Sequence, residues 1–390
     1  MNNSRVAWLL NSAFFYWHPA LSEFTRLFPQ TRVFTAWWRG YAPGFEDSFT
    51  VEVVGEQKVI PMTQSSTGYG TNFTYLPLGI VKRLFRFKPH LIFSNSFGVW
   101  TVLALLLKPI GRWRVIIAYE GSSPSVDYRN SSVRLAIRRA MVKAADGYIT
   151  NSQAGKAYLI EVLKAKAERV FASPYEVPDL KALPEQTEDN KLSVPQSQRP
   201  IFLFVGSIDS RKGVNLLLEA CAILEQQQCH DYTLLVVGDG PQRQELESFC
   251  QNHNLAERVK WVGRLDYAQL GVFFRGADVF VLPTLEDTWG VVVLEAMVVG
   301  KPILCSQWAG ASEMVVEGEN GYIFDPYKPE AVAEIMRRFI ENPQLITSMS
   351  HKSQQLMAQH TPEAAAQFLA QAALSSLGTS VGQPSPQPIT

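Results

Sequence analysis

The sequence of 390 residues lacks several features that would place it in a common class of protein. Its 4 cysteines contain no Cys-x-x-Cys spacing, which argues against a disulfide framework or a zinc site and predicts free thiols in a reducing compartment. Its longest apolar run, 97–107, is about half a membrane span, so a buried helix is the better interpretation. No signal-peptide pattern surrounds Val6–Leu10, and no Asp-x-Asp pair is present to hold a metal beside a nucleotide.

Charge is balanced overall but unevenly distributed. Residues 1–180 contain 21 Lys and Arg against 12 Asp and Glu, and the rest of the chain carries the opposite excess. Two basic stretches, 80–88 and 133–143, and the run Trp37-Trp38-Arg39 suit an anionic membrane surface or a lipid-phosphate acceptor. In the second stretch, helical spacing predicts one apolar stripe with cations beside it. The stripe contains Val133, Ile137, Ala140 and Ala144, and the cations are Arg134, Arg138 and Lys143. The alternative is a core helix with a solvated face.

Apolar strands alternate with helical patterns, most clearly in the second half, and this predicts parallel sheets covered on both faces. Strands are predicted there at 201–205, 233–237, 259–262, 279–282 and 303–305, with helices at 214–226, 241–252, 267–275 and 290–299. In the first half, strands are predicted at 6–10, 31–34, 91–94, 115–119 and 147–151. The length predicts two domains, 1–180 and 200–342, joined by a polar linker at 181–199. Helices follow at 343–377, and 378–390 is predicted to be a disordered tail.

The segment 284–297 carries the strongest chemical signal. It places Asp287 in a loop and Glu295 in a helix that begins near Gly290. A helix start presents unpaired backbone N–H groups and a positive dipole end, which suit phosphate. Ionised carboxylates accept hydrogen bonds from hydroxyl groups. Phosphate beside a polyhydroxyl sugar indicates a nucleotide-sugar site.

Other loops follow predicted strands at the same edge of the sheet. After the first strand, Gly206 permits a tight turn, and Arg211 and Lys212 can neutralise a diphosphate. Gly238 and Gly240 follow the next strand; a plain strand-to-helix turn, with Pro241 opening the helix, competes there with nucleotide contact. Arg264 follows the third strand, where a base could lie.

In this order, these motifs resemble the donor-binding domain of the retaining glycosyltransferases of family 4, also called group 1 glycosyltransferases. The resemblance covers roughly 201–339 and rests on five elements. These are Gly206-x5-Lys212-Gly213, Gly238-Asp239-Gly240-Pro241, the strand at 279–283, Asp287-x7-Glu295, and Gly318-Glu319-Asn320-Gly321-Tyr322. It implies the GT-B architecture, in which two Rossmann-like α/β domains face each other across a cleft. The N-terminal domain would bind the acceptor, the C-terminal domain the donor, and the last helices would pack back on the N-terminal domain.

The resemblance also implies roles for single residues. Glu295 would bind the ribose hydroxyls and Asp287 the transferred sugar, while Lys212 and backbone N–H groups near Trp289, Gly290 and Val291 would hold the diphosphate. Ser207 stands where the family has an arginine, and Arg211 would supply the missing charge. Transfer would retain anomeric configuration and need no metal or cofactor, because cations and helix N–H groups stabilise the leaving diphosphate.

The first half departs from the family pattern. The Gly pair after the first strand and the His after a later strand are absent, and Tyr119 and Glu120 follow the strand at 115–119 instead. Glu120 is a candidate acceptor-side or catalytic carboxylate, with a structural or helix-capping role as the alternative. Tyr119 and His18 are further candidates on the acceptor side, and a packed His is the alternative for His18.

The resulting hypothesis is a glycosyltransferase, cytoplasmic or peripheral on the inner face of a membrane, that moves a sugar from a nucleoside-diphosphate sugar to a glycan or lipid-linked acceptor, as in polysaccharide or glycolipid biosynthesis. No nucleic-acid partner is expected. Two alternatives stay open: a non-catalytic GT-B protein that binds glycan or nucleotide, and a GT-B sugar phosphorylase or epimerase.

Overall fold

The computed structural model describes residues 2–63, 65, 67–69, 71–185, 194 and 197–378. Most of the linker predicted at 181–199 and residues 379–390 of the predicted tail lie outside these ranges. Within them, no helix has both the length and the apolar character needed to cross a bilayer. All four cysteines are unpaired, as predicted.

The first half is built on a parallel sheet whose described strands follow the order β3-β2-β1-β6-β7-β8-β9, with a separate antiparallel hairpin, β4-β5. Every residue of the central strand β1 is buried, which explains its continuous apolar sequence. The strands are β1 (Val6–Leu10), β2 (Thr31–Thr35), β3 (Thr50–Val53), β4 (Lys58–Thr63), β5 (Thr71–Tyr75), β6 (Leu91–Asn95), β7 (Arg114–Ala118), β8 (Gly147–Thr150) and β9 (Val170–Ala172). The helices are α1 (His18–Leu27), α2 (Ile80–Phe87), α3 (Val99–Gly111), α4 (Pro124–Asp127), α5 (Ser132–Ala144) and α6 (Gln153–Ala157).

The second half forms another parallel sheet, in the order β12-β11-β10-β13-β14-β15. Its strands are β10 (Ile201–Val205), β11 (Thr233–Val237), β12 (Val259–Gly263), β13 (Val279–Leu282), β14 (Ile303–Ser306) and β15 (Gly321–Phe324). Its helices are α7 (Val214–Gln226), α8 (Arg243–Asn252), α9 (Leu270–Gly276), α10 (Val291–Val298) and α11 (Pro329–Glu341). One sequence prediction needs correction here: Pro241 lies in the turn before α8 rather than at its first position.

Strand order fixes where a ligand can enter. β10 lies between β11 and β13, so the chain leaves β10 in one direction and returns on its other side. β1 has the same position between β2 and β6 in the first sheet. The carboxyl ends of strands at such reversals form the crevice in which α/β sheets bind ligands.

The last two helices divide between the two halves. α12 (Gln344–Met357) packs on α10 and α11, whereas α13 (Pro362–Leu377) packs on α1, β7 and β8. The expected packing of the last helices on the N-terminal domain therefore holds for α13 and not for α12.

The predicted stripe of α5 is on the outside of the protein, and the helix packs through Arg138, Met141 and Val142 instead, so the alternative of a helix with a buried and a solvated face stays open. Val133 and Ile137 are 67% and 54% exposed, whereas Arg138 is buried. The Arg138 guanidinium donates to the hydroxyl of Tyr158 at 2.9 Å and lies over the Phe97 ring, so α5 turns this cation inward. The stripe is consequently left facing solvent.

Candidate active site

A cavity of about 880 Å³ lies between the carboxyl ends of the two sheets, within the range of about 300–1,000 Å³ typical of small-molecule sites. From the first half it is lined by Tyr16, Tyr119 and Glu120, among others, and from the second half by the loop after β10 and the start of α10. Of the predicted site residues, the cavity lining contains Tyr119, Glu120, Gly206, Ser207, Arg211, Lys212, Asp287, Trp289, Gly290, Val291 and Glu295.

The loop after β10 aims two cations into the cavity. Asp209 accepts a hydrogen bond from the backbone N–H of Lys212, which closes a tight turn over Ser210–Lys212. The chain leaves this turn through Gly213 at φ +67°, where a Cβ would lie 2.2 Å from the carbonyl oxygen of Pro283, so a side chain is excluded. As a result, the Lys212 Nζ lies 2.5 Å from Asp287 Oδ2, and the Arg211 guanidinium lies 3.9 Å from the same oxygen.

Asp287 is held ionised by these neighbours. Burial alone would raise the pKa of its carboxyl, but the Lys212 ammonium and the Arg211 guanidinium hold that pKa below its usual value. The hydroxyl of Tyr69, in the loop between β4 and β5, donates to the other carboxylate oxygen at 3.3 Å. Asp287 therefore presents a fixed negative charge beside two cations.

The start of α10 forms the floor next to this cluster. Gly290 has φ +93° and begins the helix, and Gly290, Val291 and Val292 all line the cavity. The first N–H groups of a helix have no intrahelical partner. One turn into α10, Glu295 is buried and accepts a hydrogen bond from the hydroxyl of Tyr267 at 2.8 Å. Burial raises the pKa of the Glu295 carboxyl to about 7.

This pKa gives a prediction for the protein without ligand. Between the ordinary pKa of a glutamate and about pH 7, the folded protein holds a proton on Glu295 that the unfolded chain lacks. Glu295 therefore lowers stability progressively as pH rises through that window, by on the order of 3 kcal/mol in all, and the penalty is complete above pH 7. Glu295→Gln should raise Tm relative to the native protein by a few °C more at pH 8 than at pH 5.

Thermal unfolding at the two pH values measures this difference. The exposed Glu257 offers a matched control, since Glu257→Gln should shift Tm equally at both. If the Glu295→Gln difference were the same at pH 5 and pH 8, the carboxyl would not be held protonated by burial.

Four predicted site residues lie elsewhere. His18 is fully buried, and its Nδ1 accepts from the backbone N–H of Ala42 at 2.9 Å, so it packs the core beside the cavity instead of lining it. Burial lowers the pKa of His18 to about 4. Arg264 is exposed and is not part of the lining.

Gly238 and Gly240 lie in the loop after β11 and are not part of the cavity lining. A Cβ on Gly238 would lie 1.8 Å from the carbonyl oxygen of Gly206, and one on Gly240 would lie 2.3 Å from that of Ile208. Both positions therefore allow the neighbouring strand ends to approach closely. The geometry gives both glycines a structural place in this turn, and nucleotide contact at the segment stays a prediction.

Two residues that the sequence did not indicate connect the two halves. Glu286, the neighbour of Asp287, accepts from the backbone N–H and the hydroxyl of Ser125, both at 2.7 Å, and so caps α4 of the other half. Tyr69 reaches Asp287 across 218 positions of sequence, and Arg211 lies over its ring at 4.2 Å. No local pattern could have indicated contacts of this range.

Glu176 is a third residue that the sequence analysis missed. It follows β9, lines the cavity and is buried, and it lies on the same side as Glu120. Because β9 was not predicted from the sequence, Glu176 could not be recognised as a residue that follows a strand.

Comparison with known proteins agrees with this architecture. Residues 185–356 match the family model described as Glycosyl transferases group 1. The chain is 29% identical over 160 residues to alpha-D-kanosaminyltransferase of Streptomyces kanamyceticus, which is 41% of each chain. It is 27% identical over 223 residues to 2-deoxystreptamine glucosyltransferase of the same organism, covering 56% of this chain and 57% of that one. These matches thus span between about two fifths and three fifths of the relatives' lengths.

Solved structures share the fold over nearly the whole chain. The Anabaena protein HepE in complex with UDP-glucose superposes with a TM-score of 0.72 at 20% identity, covering 96% of this chain and 100% of that one. Sucrose-phosphate synthase from Thermosynechococcus elongatus has a TM-score of 0.69 at 23% identity, with 96% and 99% covered. The predicted fold is confirmed: two parallel-sheet α/β domains in the GT-B arrangement.

Proposed function

We propose that this chain, whose residues 185–356 match the group 1 glycosyltransferase model, is a member of that family and transfers a sugar from a nucleoside-diphosphate sugar to a glycan or lipid-linked acceptor. The observation that carries this proposal is the convergence of Lys212, Asp287 and Glu295 on one cavity at the start of α10. Cations, helix N–H groups and carboxylates lie side by side there, as a diphosphate, a sugar and a ribose require.

Each part of the donor has a proposed partner. The ribose hydroxyls donate to Glu295, which is one helical turn inside α10. The diphosphate lies against the N–H groups of Gly290 and Val291, with Lys212 and Arg211 neutralising its charge. Asp287 accepts from hydroxyls of the transferred sugar while it orients the Lys212 ammonium, to which it is bonded at 2.5 Å.

The proposed reaction is metal-independent and retaining. The bond between the anomeric carbon and the diphosphate oxygen breaks as the acceptor oxygen bonds to the same face of the sugar, and the acceptor's proton passes to the departing phosphate. Lys212, Arg211 and the amides at the start of α10 stabilise the negative charge that develops on the diphosphate. The leaving group thus acts as the base, and no separate basic side chain is required at the acceptor oxygen.

A thermal-shift screen against UDP-, GDP- and ADP-sugars, with and without EDTA, tests this function, because a ligand that binds only the native state raises its Tm. UDP-glucose is the first to try, since it is the ligand of one structural neighbour. We expect one nucleotide-sugar to stabilise the protein and to be consumed when acceptor is supplied, both in the presence of EDTA. Stabilisation without consumption would favour a non-catalytic binding protein. Formation of a sugar 1-phosphate from a glycan and inorganic phosphate, without a nucleotide-sugar, would favour a phosphorylase.

We also propose that the protein binds an anionic membrane surface through α3 and α5, which pack together. Their outer faces expose Leu106 and Ile110 on α3, at 70% and 71%, beside Val133 and Ile137 on α5. Exposed cations follow along the same segments: Arg112, Arg134 and Lys143. Apolar side chains among cations suit a layer of anionic headgroups. A cytoplasmic location, expected from the cysteines, remains part of this proposal.

Liposome flotation gives the corresponding prediction. The native protein should float with vesicles containing phosphatidylglycerol at low salt, and should be released at high salt because screening weakens the attraction. Ile110→Asp/Ile137→Asp should reduce binding by about tenfold or more, since each buried isoleucine contributes roughly 1.5–3 kcal/mol. The control Tyr327→Asp changes an exposed apolar residue of the other half and should float normally. Absence of native flotation at low salt would refute this part of the proposal.

A further inference from the structure

A buried carboxyl group, Glu176, and a half-buried one, Glu120, lie on the wall of the cavity formed by the first half. Glu176 is 1% exposed, and its Oε2 accepts from the side-chain amide of Asn151 at 2.9 Å. Its other oxygen, Oε1, is buried without a hydrogen-bond partner among the described residues. Glu120 lies close enough to affect it electrostatically, and its own Oε1 accepts from the amide of Asn95 at 3.0 Å. Both residues line the cavity.

Glu120 and Glu176 differ from Asp287 in their electrostatic surroundings. Asp287 is paired with Lys212 and Arg211, whereas no Lys, Arg or His in the described part of the chain forms an ion pair with Glu120 or Glu176. Burial raises the pKa of both carboxyls, and their mutual repulsion raises that of Glu176 further. Buried charges in proteins are normally paired, so these carboxyls are favoured in the ionised form only when a positive charge that the described part of the chain does not supply lies beside them.

The surrounding side chains suit a cation as well. Tyr16 lines the same part of the cavity and lies within electrostatic range of both carboxyls. Tyr69 lines it from the β4-β5 loop. Aromatic faces attract cations through their quadrupole, and carboxylates bind ammonium groups through charge-assisted hydrogen bonds. A neutral sugar would also find acceptors here, but it would supply no positive charge to favour the ionised forms of Glu120 and Glu176.

We propose that Glu120 and Glu176 form an acceptor subsite for an ammonium group, so that the acceptor of the reaction is an amino sugar or another polyol that bears a primary amine. This inference rests on the proposed function, because it places the acceptor opposite the donor site in the same cavity. The Glu176 oxygen without a partner receives one N–H of the ammonium, and Glu120 receives another. The acceptor hydroxyl then faces Asp287 and the transferred sugar.

Binding of glucosamine, glucose and N-acetylglucosamine to the full chain, saturated with the nucleotide that stabilises it most, tests the subsite. Saturation-transfer NMR or calorimetry should show glucosamine binding roughly tenfold or more tightly than either neutral sugar. Glu176→Gln and Glu120→Gln should each remove most of this preference, whereas Glu168→Gln, at an exposed glutamate, should retain it. These isosteric changes remove charge without creating a cavity, and the nucleotide-induced rise in Tm serves as the folding check for every variant.

The outcomes separate this inference from the function on which it rests. If no nucleotide stabilised the native protein, the donor site would be absent and the proposed function would be refuted. A nucleotide-stabilised protein that did not bind glucosamine, or bound it no better than glucose, would overturn the ammonium subsite alone. A preference that persisted in both Gln variants would also overturn it.

Discussion

Lys212→Met is expected to lower the turnover of the nucleotide-sugar by about 10²- to 10³-fold, because it removes one positioned positive charge from the leaving diphosphate. The Lys212 side chain is nearly buried, and its ammonium lies 2.5 Å from Asp287. A cation from solvent could take its place only if the loop after β10 moved. Arg211 lies 3.9 Å from the same carboxylate and should support the residual activity. Steady-state kinetics with the donor found by the thermal-shift screen measure the effect, mostly in kcat.

Loss of stability could imitate this loss of activity, because Lys212→Met leaves a buried carboxylate short of a partner, and breaking such pairs costs about 3–5 kcal/mol. The double variant Lys212→Met/Asp287→Asn separates the two effects. It should recover much of the Tm lost in the single variant but none of the turnover, since the charge on the diphosphate stays uncompensated and Asp287, the proposed sugar contact, is also changed. Lys328→Met, at an exposed lysine outside the cavity lining, is the control. Recovery of turnover in the double variant would assign Lys212 a purely structural role.

Glu295→Ala should weaken binding of the nucleoside diphosphate by about 10- to 150-fold, because hydrogen bonds to a charged group contribute about 1.5–3 kcal/mol. The two ribose hydroxyls would lose their common acceptor, and Tyr267 would lose the oxygen to which its hydroxyl donates. Glu295→Gln keeps one acceptor oxygen and should fall between the alanine variant and the native protein. Isothermal titration calorimetry measures the Kd values directly.

The exposed Glu257 again provides the control, since Glu257→Ala removes a carboxylate without touching the cavity. Unchanged nucleotide binding in Glu295→Ala would show that the ribose lies elsewhere. Ionised Glu295 is the better acceptor, so nucleotide binding should also strengthen as pH rises through about 7, where the carboxyl of the free protein loses its proton.

The second sheet could be predicted closely because its strands are buried on both faces and its helices are long and periodic. β10, β11, β13 and α7 have the same bounds in the structure as in the sequence pattern. The position of the candidate donor residues at one edge of the sheet followed from this, since the carboxyl ends of neighbouring parallel strands meet there. The structure places Lys212, Asp287 and Glu295 in one cavity, and their roles toward a donor stay a prediction.

The first half could not be predicted in the same way. β3 is a short strand at the sheet edge with no buried residue, and the β4-β5 hairpin stands outside both sheets, so neither has the continuous apolar pattern of a buried strand. Glu286 and Tyr69 each contact residues of the other half, so their positions depend on segments that are far apart in the sequence. Arg138 shows the same limit inside a helix: its partners on other segments turn it inward and leave Val133 and Ile137 outside.

The most direct test of the donor site is a crystal structure of the protein with the nucleoside diphosphate that stabilises it most. It should show the diphosphate within hydrogen-bond distance of Lys212 Nζ and the first amides of α10, and the ribose hydroxyls on the carboxylate of Glu295. A nucleotide bound away from these groups, with the Lys212–Asp287 pair and Glu295 left untouched, would contradict the proposed function.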